Sequence, residues 1–328
     1  MNIFVAGATG AIGQRLIPML VKAGHAVTGT TRHAHKAMAI HQLGATPAIM
    51  NALNQSEVLK AVQAATPEVV IHQLTAIPAS FNLRRFDQQF AATNRLRTEG
   101  TDHLLKAANL AGCRRFIAQS YAGWPYARTG GWIKTEDDPL MTIPEPGFRN
   151  SLSAIVHVES RVLRESKMEG FVLRYGGFYG PGTSLGEGAP MLEEVRRRHV
   201  PVVGRGTGYW SFVHIDDAAA ATLAAVEAAT PGIYNIVDDE PAPVSEWLPY
   251  LAKTLGAAPP RHVPAWLGRL FIGAHGVAMM TAARGASNRK AKSLLQWKLR
   301  WPSWRQGFRD GLGEAVYPTS SGTTRAIA

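Results

Sequence analysis

A chain of 328 residues is long enough to bury a large core, as one extended domain or two associated lobes. An ordinary apolar fraction (46%) and a low charged fraction (18%) exclude a disordered chain. The net charge of +11 is scattered, and its one compact run, RRRH at 196–199, has no base-stacking motif beside it, so nucleic acid is not an expected partner.

The chain begins on a strand pattern, NIFVAG, without a secretory segment before it, and its single cysteine, Cys113, excludes an intrachain disulfide. Both features point to a reducing, cytoplasmic setting. Next comes GATGAIG, which sets Gly7, Gly10 and Gly13 in a G-x-x-G-x-x-G frame between a strand and the helical pattern AIGQRLIPMLVKAG. A dinucleotide site requires this context. Glycines let the backbone approach a pyrophosphate, and the helix N-terminus offers unpaired N–H groups and positive dipole. Thr9, Gly10, Ala11 and Ile12 are therefore cofactor-binding candidates along with Gly7 and Gly13.

The second strand, HAVTGTTR, ends on Thr31 and Arg32 where an acidic residue would favour NAD(H). A guanidinium pairs with a 2′-phosphate that a carboxylate would repel, so NADP(H) is expected, with Arg32 as the main contact and Lys36 as helper. His33, His35 and His41 lack thiolate or carboxylate support, and no metal site is expected. Further strands read PAIMNA, VVIHQLT and RFIAQS, each following a helical stretch. Such alternation implies an α/β fold, a Rossmann-type doubly wound parallel sheet.

Beyond residue 175 the pattern breaks. GGFYGPGTSLGEGAP reads as a long loop, MLEEVRRRH as a helix, VPVVG and YWSFVHI as short strands, DDAAAATLAAVEAA as a helix and GIYNIVDD as a strand. The expected division is a dinucleotide-binding core over 1–175, and a small substrate lobe mainly over 176–317 with segments returning to the core. A disordered tail follows at 318–328. The apolar stretch 263–283 is interrupted by Arg269 and His275, which suits a buried helix or a lid better than a membrane span.

With these motifs in order, the chain resembles an extended or atypical short-chain dehydrogenase/reductase of the NAD-dependent epimerase/dehydratase group. GATGAIG, VVIHQLTA, ATNRLRTEGTDHLLKAA, LRYGGFYGPG, FVHIDDAAAA, YNIVDDEPAPVSEW and the closing SNRKAKSLLQWKLRWPSWRQGF carry the resemblance. It implies that Leu74 and Thr75 turn against the cofactor, that Asn94 opens a helix beside it and that Tyr175 leads into the loop past the nicotinamide. It also implies a Tyr-x-x-x-Lys pair, in which tyrosine supplies a proton and lysine lowers its pKa and holds the ribose. The chain departs from that pattern. Aligned on Glu159, the tyrosine position is Ser151 and the lysine position Ile155; a second register, His157 with Arg161, leaves too few residues before FVLRYGG.

The family's orienting serine falls at Ser120 or Tyr121. Tyr121 is therefore the candidate acid and Ser120 its hydrogen-bond partner, with Tyr126 and Tyr175 as further phenols. A phenol of pKa about 10 can donate in a reduction but is a poor base at neutral pH. Trp210 stands about where relatives carry a diphosphate-binding arginine, and Gly177 replaces an asparagine. Trp124, Trp132, Phe178, Trp210, Met279 and Met280 could line an apolar space instead. The leading expectation is an NADP(H)-dependent oxidoreductase that reduces a carbonyl or other unsaturated bond of a small, largely apolar or aromatic molecule. Behind it stand an epimerase, dehydratase or isomerase that uses the cofactor transiently, and a non-catalytic NADP(H) sensor. The expected partners are a small-molecule substrate and a second copy of the chain in a homodimer, with no membrane insertion.

Overall fold

Strand β1 (Asn2–Ala6) shows no apolar–polar alternation, and from Ile3 to Ala6 every residue is buried, as expected of a strand covered on both faces. Around it, a computed structural model describing residues 1–78 and 82–313 builds a seven-stranded parallel sheet. The further elements are α1 (Ala11–Lys22), β2 (Ala26–Thr31), β3 (Thr46–Ile49), α2 (Gln55–Ala65) and β4 (Val69–His72). They continue with α3 (Thr101–Leu110), β5 (Arg115–Tyr121), α4 (Arg149–Leu163) and β6 (Glu169–Tyr175). Helix α5 (Ile215–Glu227) and strand β7 (Gly232–Ile236) complete this layer. The strand order is β7-β6-β5-β4-β1-β2-β3, all parallel, and the order in which strands are added reverses between β1 and β4. Ligands of open α/β sheets bind at that switch point, outside the carboxyl ends of the strands.

Each face has its own core. Leu16, Ile17 and Leu20 of α1 pack with Ala218, Ala221 and Ala225 of α5 over Ile3, Val5 and Ile71. The alanines of α5 permit this close packing, and the DDAAAATLAAVEAA and GIYNI segments belong to the central layer rather than to the lobe. On the other face, Val58, Val62, Leu104, Leu105, Val158 and Val162 cover Phe4, Val70 and Phe116. A fully buried aliphatic side chain contributes roughly 1.5–3 kcal/mol, so these two stripes hold the sheet that carries the site.

A third core, with Val202, Phe212, Leu248, Leu251, Trp304 and Phe308, organises helix α6 (Val244–Thr254) and the short strands Val202–Val203 and Phe212–His214. Helix α7 (Ala265–Thr281) breaks at Gly273, whose φ is +74°. Before the break Trp266, Leu270 and Phe271 are exposed; after it His275, Ala278 and Met280 are buried. No helix among the described residues is long and apolar enough to cross a membrane. The tail expected at 318–328 lies outside the described residues.

Candidate active site

The glycine loop joins β1 to α1. Gly7 has φ +104°, and a side chain there would start 2.8 Å from the Gln73 carbonyl oxygen. A Cβ on Gly13 would lie 2.5 Å from the carbonyl oxygens of Gly7 and Ala8, so that glycine lets the helix close onto the loop. The Gly10 N–H bonds the Gly7 carbonyl at 3.1 Å, and Gly10 is the N-cap of α1. Beside the loop lies a cavity of about 260 Å³ whose walls include Gly7, Thr9, Gly10, Thr31, Arg32, Lys36, Gln73, Leu74, Thr75 and Leu96. Ala11 is half-buried at the start of the helix, and Ile12 is buried behind it.

At the end of β2, Thr31 is buried and its hydroxyl accepts the His33 N–H at 3.2 Å, which fixes the turn. Arg32 and Lys36 are exposed on the same wall and pair with no carboxylate among the described residues. At the end of β4, His72 fixes the next turn. Its Nδ1 accepts the Leu74 N–H at 3.2 Å, which leaves Nε2 to donate to Thr101 at 3.0 Å. Burial drives its pKa down to about 4, so it is a neutral structural group. Gln73 donates to the Tyr175 hydroxyl at 3.0 Å, while its own buried Oε1 has no partner among the described residues. The close backbone approach at Gly7, the unpaired cations and the orphaned Gln73 acceptor all fit a nicotinamide dinucleotide.

Several expected residues take other roles. Tyr175 is buried, with its hydroxyl also bonded to Thr222 at 2.6 Å, so it holds Gln73 from behind rather than presenting a phenol. Asn94 directs its amide to Ser151 Oγ at 3.0 Å. Ser151 in turn donates to Asp87 at 2.6 Å, and the Asp87 carboxylate accepts the N–H groups of Asn150 and Ser151. Asp87 thus caps α4 from outside, and the position where the family pattern has tyrosine is locked inside this cap. Ile155, at the lysine position, is buried against Phe86, Phe90, Trp124, Phe148 and Leu152. His157 and Arg161 both reach Asp102 away from this cluster, at 3.1 and 2.8 Å, which removes the second register.

Ser120 is not the partner of Tyr121. It is buried and donates to Glu159 at 2.6 Å. Arg174, its neighbour in register on β6, forks onto the same carboxylate at 2.6 and 2.8 Å. Burial opposes the charge on Arg174, but the Glu159 hydrogen bonds outweigh it and hold the guanidinium firmly protonated. Tyr126 joins this network through Asn235 and Arg174, at 2.6 and 3.0 Å, so it too faces away from the site.

Tyr121 remains. It is half-buried against the Trp124 cluster, and its hydroxyl has no hydrogen-bond partner among the described residues. Burial pushes its pKa up to about 12, against a smaller pull from Arg97. Met279 joins the Tyr121–Trp124 cluster, whereas Met280 turns into the C-terminal core. Trp210 donates its indole N–H to the Met279 carbonyl at 3.0 Å and stacks near Trp247, so it braces the wall. Phe178 is half-buried, 5.3 Å from the Tyr175 ring. A second cavity, of about 290 Å³, is lined by Glu187, Arg196, Leu255 and Phe308, and includes none of the expected site residues.

Arg97 is the residue that sequence reasoning missed. It lies on a π-helical turn, Leu96–Gly100, inserted between the helix Ala91–Arg95 and α3. The wider turn buries Arg97 beside Leu96, a wall of the cofactor cavity. Such insertions often occur at functional sites. The signal available in the sequence was an arginine within the apolar stripe of a core helix.

A parallel sheet of this order, with a glycine loop at its switch point, defines a dinucleotide-binding α/β protein. The chain belongs to the NAD dependent epimerase/dehydratase family, whose model matches residues 3–237. It is 44% identical over 94% of its length, and 99% of the relative's, to a 3-diazoavenalumate denitrifying reductase from a Streptomyces species. Its fold matches UDP-glucose 4-epimerase of Thermotoga maritima at TM-score 0.74 and 22% identity, over 95% of this chain and 97% of that one. It also matches the human epimerase family protein SDR39U1, solved with NADPH, at TM-score 0.73 and 20% identity, over 95% and 99% of the two chains. The protein is thus an NAD(P)-dependent oxidoreductase of the short-chain dehydrogenase/reductase type acting on a small molecule.

Proposed function

We propose that the protein is an NADP(H)-dependent reductase of a small, largely apolar or aromatic substrate, and that its reaction makes little demand on a protein acid. The backbone from Thr9 to Ile12 would hold the pyrophosphate, and Arg32 with Lys36 the 2′-phosphate. When bound, the cofactor supplies a hydride. Residues 1–175 form the cofactor-binding core in this reading, and the substrate lobe comes mainly from 176–317. One observation carries the reading: Ser151 is consumed in a helix cap and Ile155 in an aromatic wall, so the usual proton-donating pair is gone.

The name of the Streptomyces relative supports a reaction suited to that loss. At an arenediazonium carbon, the C–H bond forms with the hydride's electron pair while the C–N bond breaks. Dinitrogen would leave with the bonding pair, the two electrons of the new C–H bond would be those of the hydride that bound NADPH supplies, and no proton would be taken up. Trp124 would offer a flat apolar surface to a ring, with the pliable Met279 beside it and Phe178 as a further apolar contact. The second reading, carbonyl reduction, is favoured by the unpartnered Tyr121 hydroxyl, which is protonated throughout the neutral range.

Stereospecifically deuterated NADPH, offered with a diazotised aminocinnamic acid or with a ketone panel, separates the two. The diazo reading expects deuterium at the former diazo carbon, faster than without enzyme, and a change of less than about tenfold for Tyr121→Phe. Carbonyl reduction expects that substitution to cost roughly 10²–10⁴-fold. Product formed without net cofactor change would point to an epimerase or isomerase. Tight NADPH binding with no turnover on either panel would sink both readings and leave a sensor.

A further inference from the structure

Arg97 is a buried cation without a counter-charge. It is 8% exposed, and none of the described residues accepts a hydrogen bond from it or forms an ion pair with it. Arg174 and Arg115, buried as deeply, are bound to Glu159 and Glu169, and Arg284, buried to the same extent without a carboxylate, donates to the carbonyls of Ala282 and Arg128. A buried guanidinium left alone is costly, and an anion supplied from outside the chain would relieve that cost.

Its surroundings indicate where that anion sits. Leu96 next to it lines the cofactor cavity, and the π-turn packs against α4, which carries Ile155. The charge bears on the Tyr121 phenol, whose hydroxyl also has no hydrogen-bond partner among the described residues. Burial lowers its own pKa to about 10, which leaves it charged at neutral pH. The phosphate-side cations, Arg32 and Lys36, lie with the glycine loop instead.

We propose that Arg97 is a substrate-binding residue that receives an anionic oxygen of the substrate, a carboxylate or an ionised phenol, with the Tyr121 hydroxyl as a neutral second donor. The guanidinium selects an acid among aromatic molecules that the apolar wall alone could not distinguish. The proposal rests on the reductase reading for its substrate class, but its test needs no turnover.

Binding of cinnamate, methyl cinnamate and 4-nitrophenol is measured on the protein saturated with NADP⁺, with NADP⁺ affinity determined separately. Wild type is expected to bind cinnamate at least about tenfold more tightly than its methyl ester. Arg97→Met should abolish that preference while leaving NADP⁺ affinity unchanged, and Arg97→Lys should keep part of it. Preference for ionised 4-nitrophenol over cinnamate would assign the oxygen to a phenol rather than a carboxylate. Arg97→Met should also melt no lower than wild type, because it removes an unpaired buried charge. No preference for either anion in wild type would overturn the proposal. So would a preference surviving Arg97→Met, or an equal loss of NADP⁺ affinity. Failure to reduce any substrate would count against the reductase reading and leave this result standing.

Discussion

The two ends of the site are built differently. At the proposed phosphate end the backbone is contiguous: the loop from Gly7 to Gly13 packs on the sheet beneath it, with the Gln73 carbonyl against Gly7. At the proposed substrate end, Tyr121 and Trp124 come from one segment and Arg97, Ile155 and Met279 from three others, and each role depends on what its neighbours have already taken. Ser120 and Tyr121 are adjacent in sequence, yet one is bound to Glu159 and the other is free. Backbone sites survive sequence drift and can be read from a short motif. Side-chain sites depend on the whole packing arrangement.

Substitutions can break this contrast at either end. The largest effect is expected from Gly7→Val, which places a branched side chain at a positive φ and against the Gln73 carbonyl. Dinucleotide binding should fall below detection in a calorimetric titration while the protein still folds. Glu159→Ala comes next. It strands the Arg174 guanidinium in the interior and should destabilise the fold by about 3–5 kcal/mol in urea melts. Because Ser120 does not serve Tyr121, the folded fraction should keep its turnover. A loss of activity at unchanged stability would restore Ser120 to the site.

His72 gives a smaller, pH-dependent effect. Its folded pKa of about 4 lies below the ordinary 6.5, so the unfolded chain binds the extra proton between those values. Stability should therefore fall as pH drops through 6.5 and level off below 4, by at most about 3 kcal/mol from this residue. His72→Asn keeps an acceptor for the Leu74 N–H and should flatten that part of the profile. An unchanged profile would mean that the turn does not depend on a neutral imidazole. The smallest effect is that of Arg32→Ala, expected to raise KM for NADPH by roughly ten- to thirtyfold and to leave NADH untouched. Equal use of both cofactors by wild type would remove Arg32 from the selectivity argument.

Much of the fold was legible because its signals are local. Unbroken apolar runs such as VVIH mark strands covered on both faces, and GATGAIG states its own geometry. The alanine-rich segment at 215–227 was legible as a helix, but its docking on α1 was not. A period of apolar residues reports which face is buried and not against what. The absence of the tyrosine–lysine pair was readable as two residue types, Ser151 and Ile155. Its consequence was not, because Asp87 arrives from a different segment to cap α4.

By itself the sequence determined the sheet, the dinucleotide loop, the cationic end of β2 and the loss of the usual acid. These follow from backbone conformation and from charge type, which do not depend on distant partners. Only the tertiary structure decided which polar groups remain free. Hydrogen-bond capacity is finite, and the packing assigns it first: Ser120, Tyr126 and Tyr175 are all spent on protein neighbours, and Asn94 spends its amide N–H on Ser151. Among the groups left unspent are the Tyr121 hydroxyl, the Arg97 guanidinium and the side-chain oxygens of Gln73 and Asn94, and these are the groups proposed to meet another molecule.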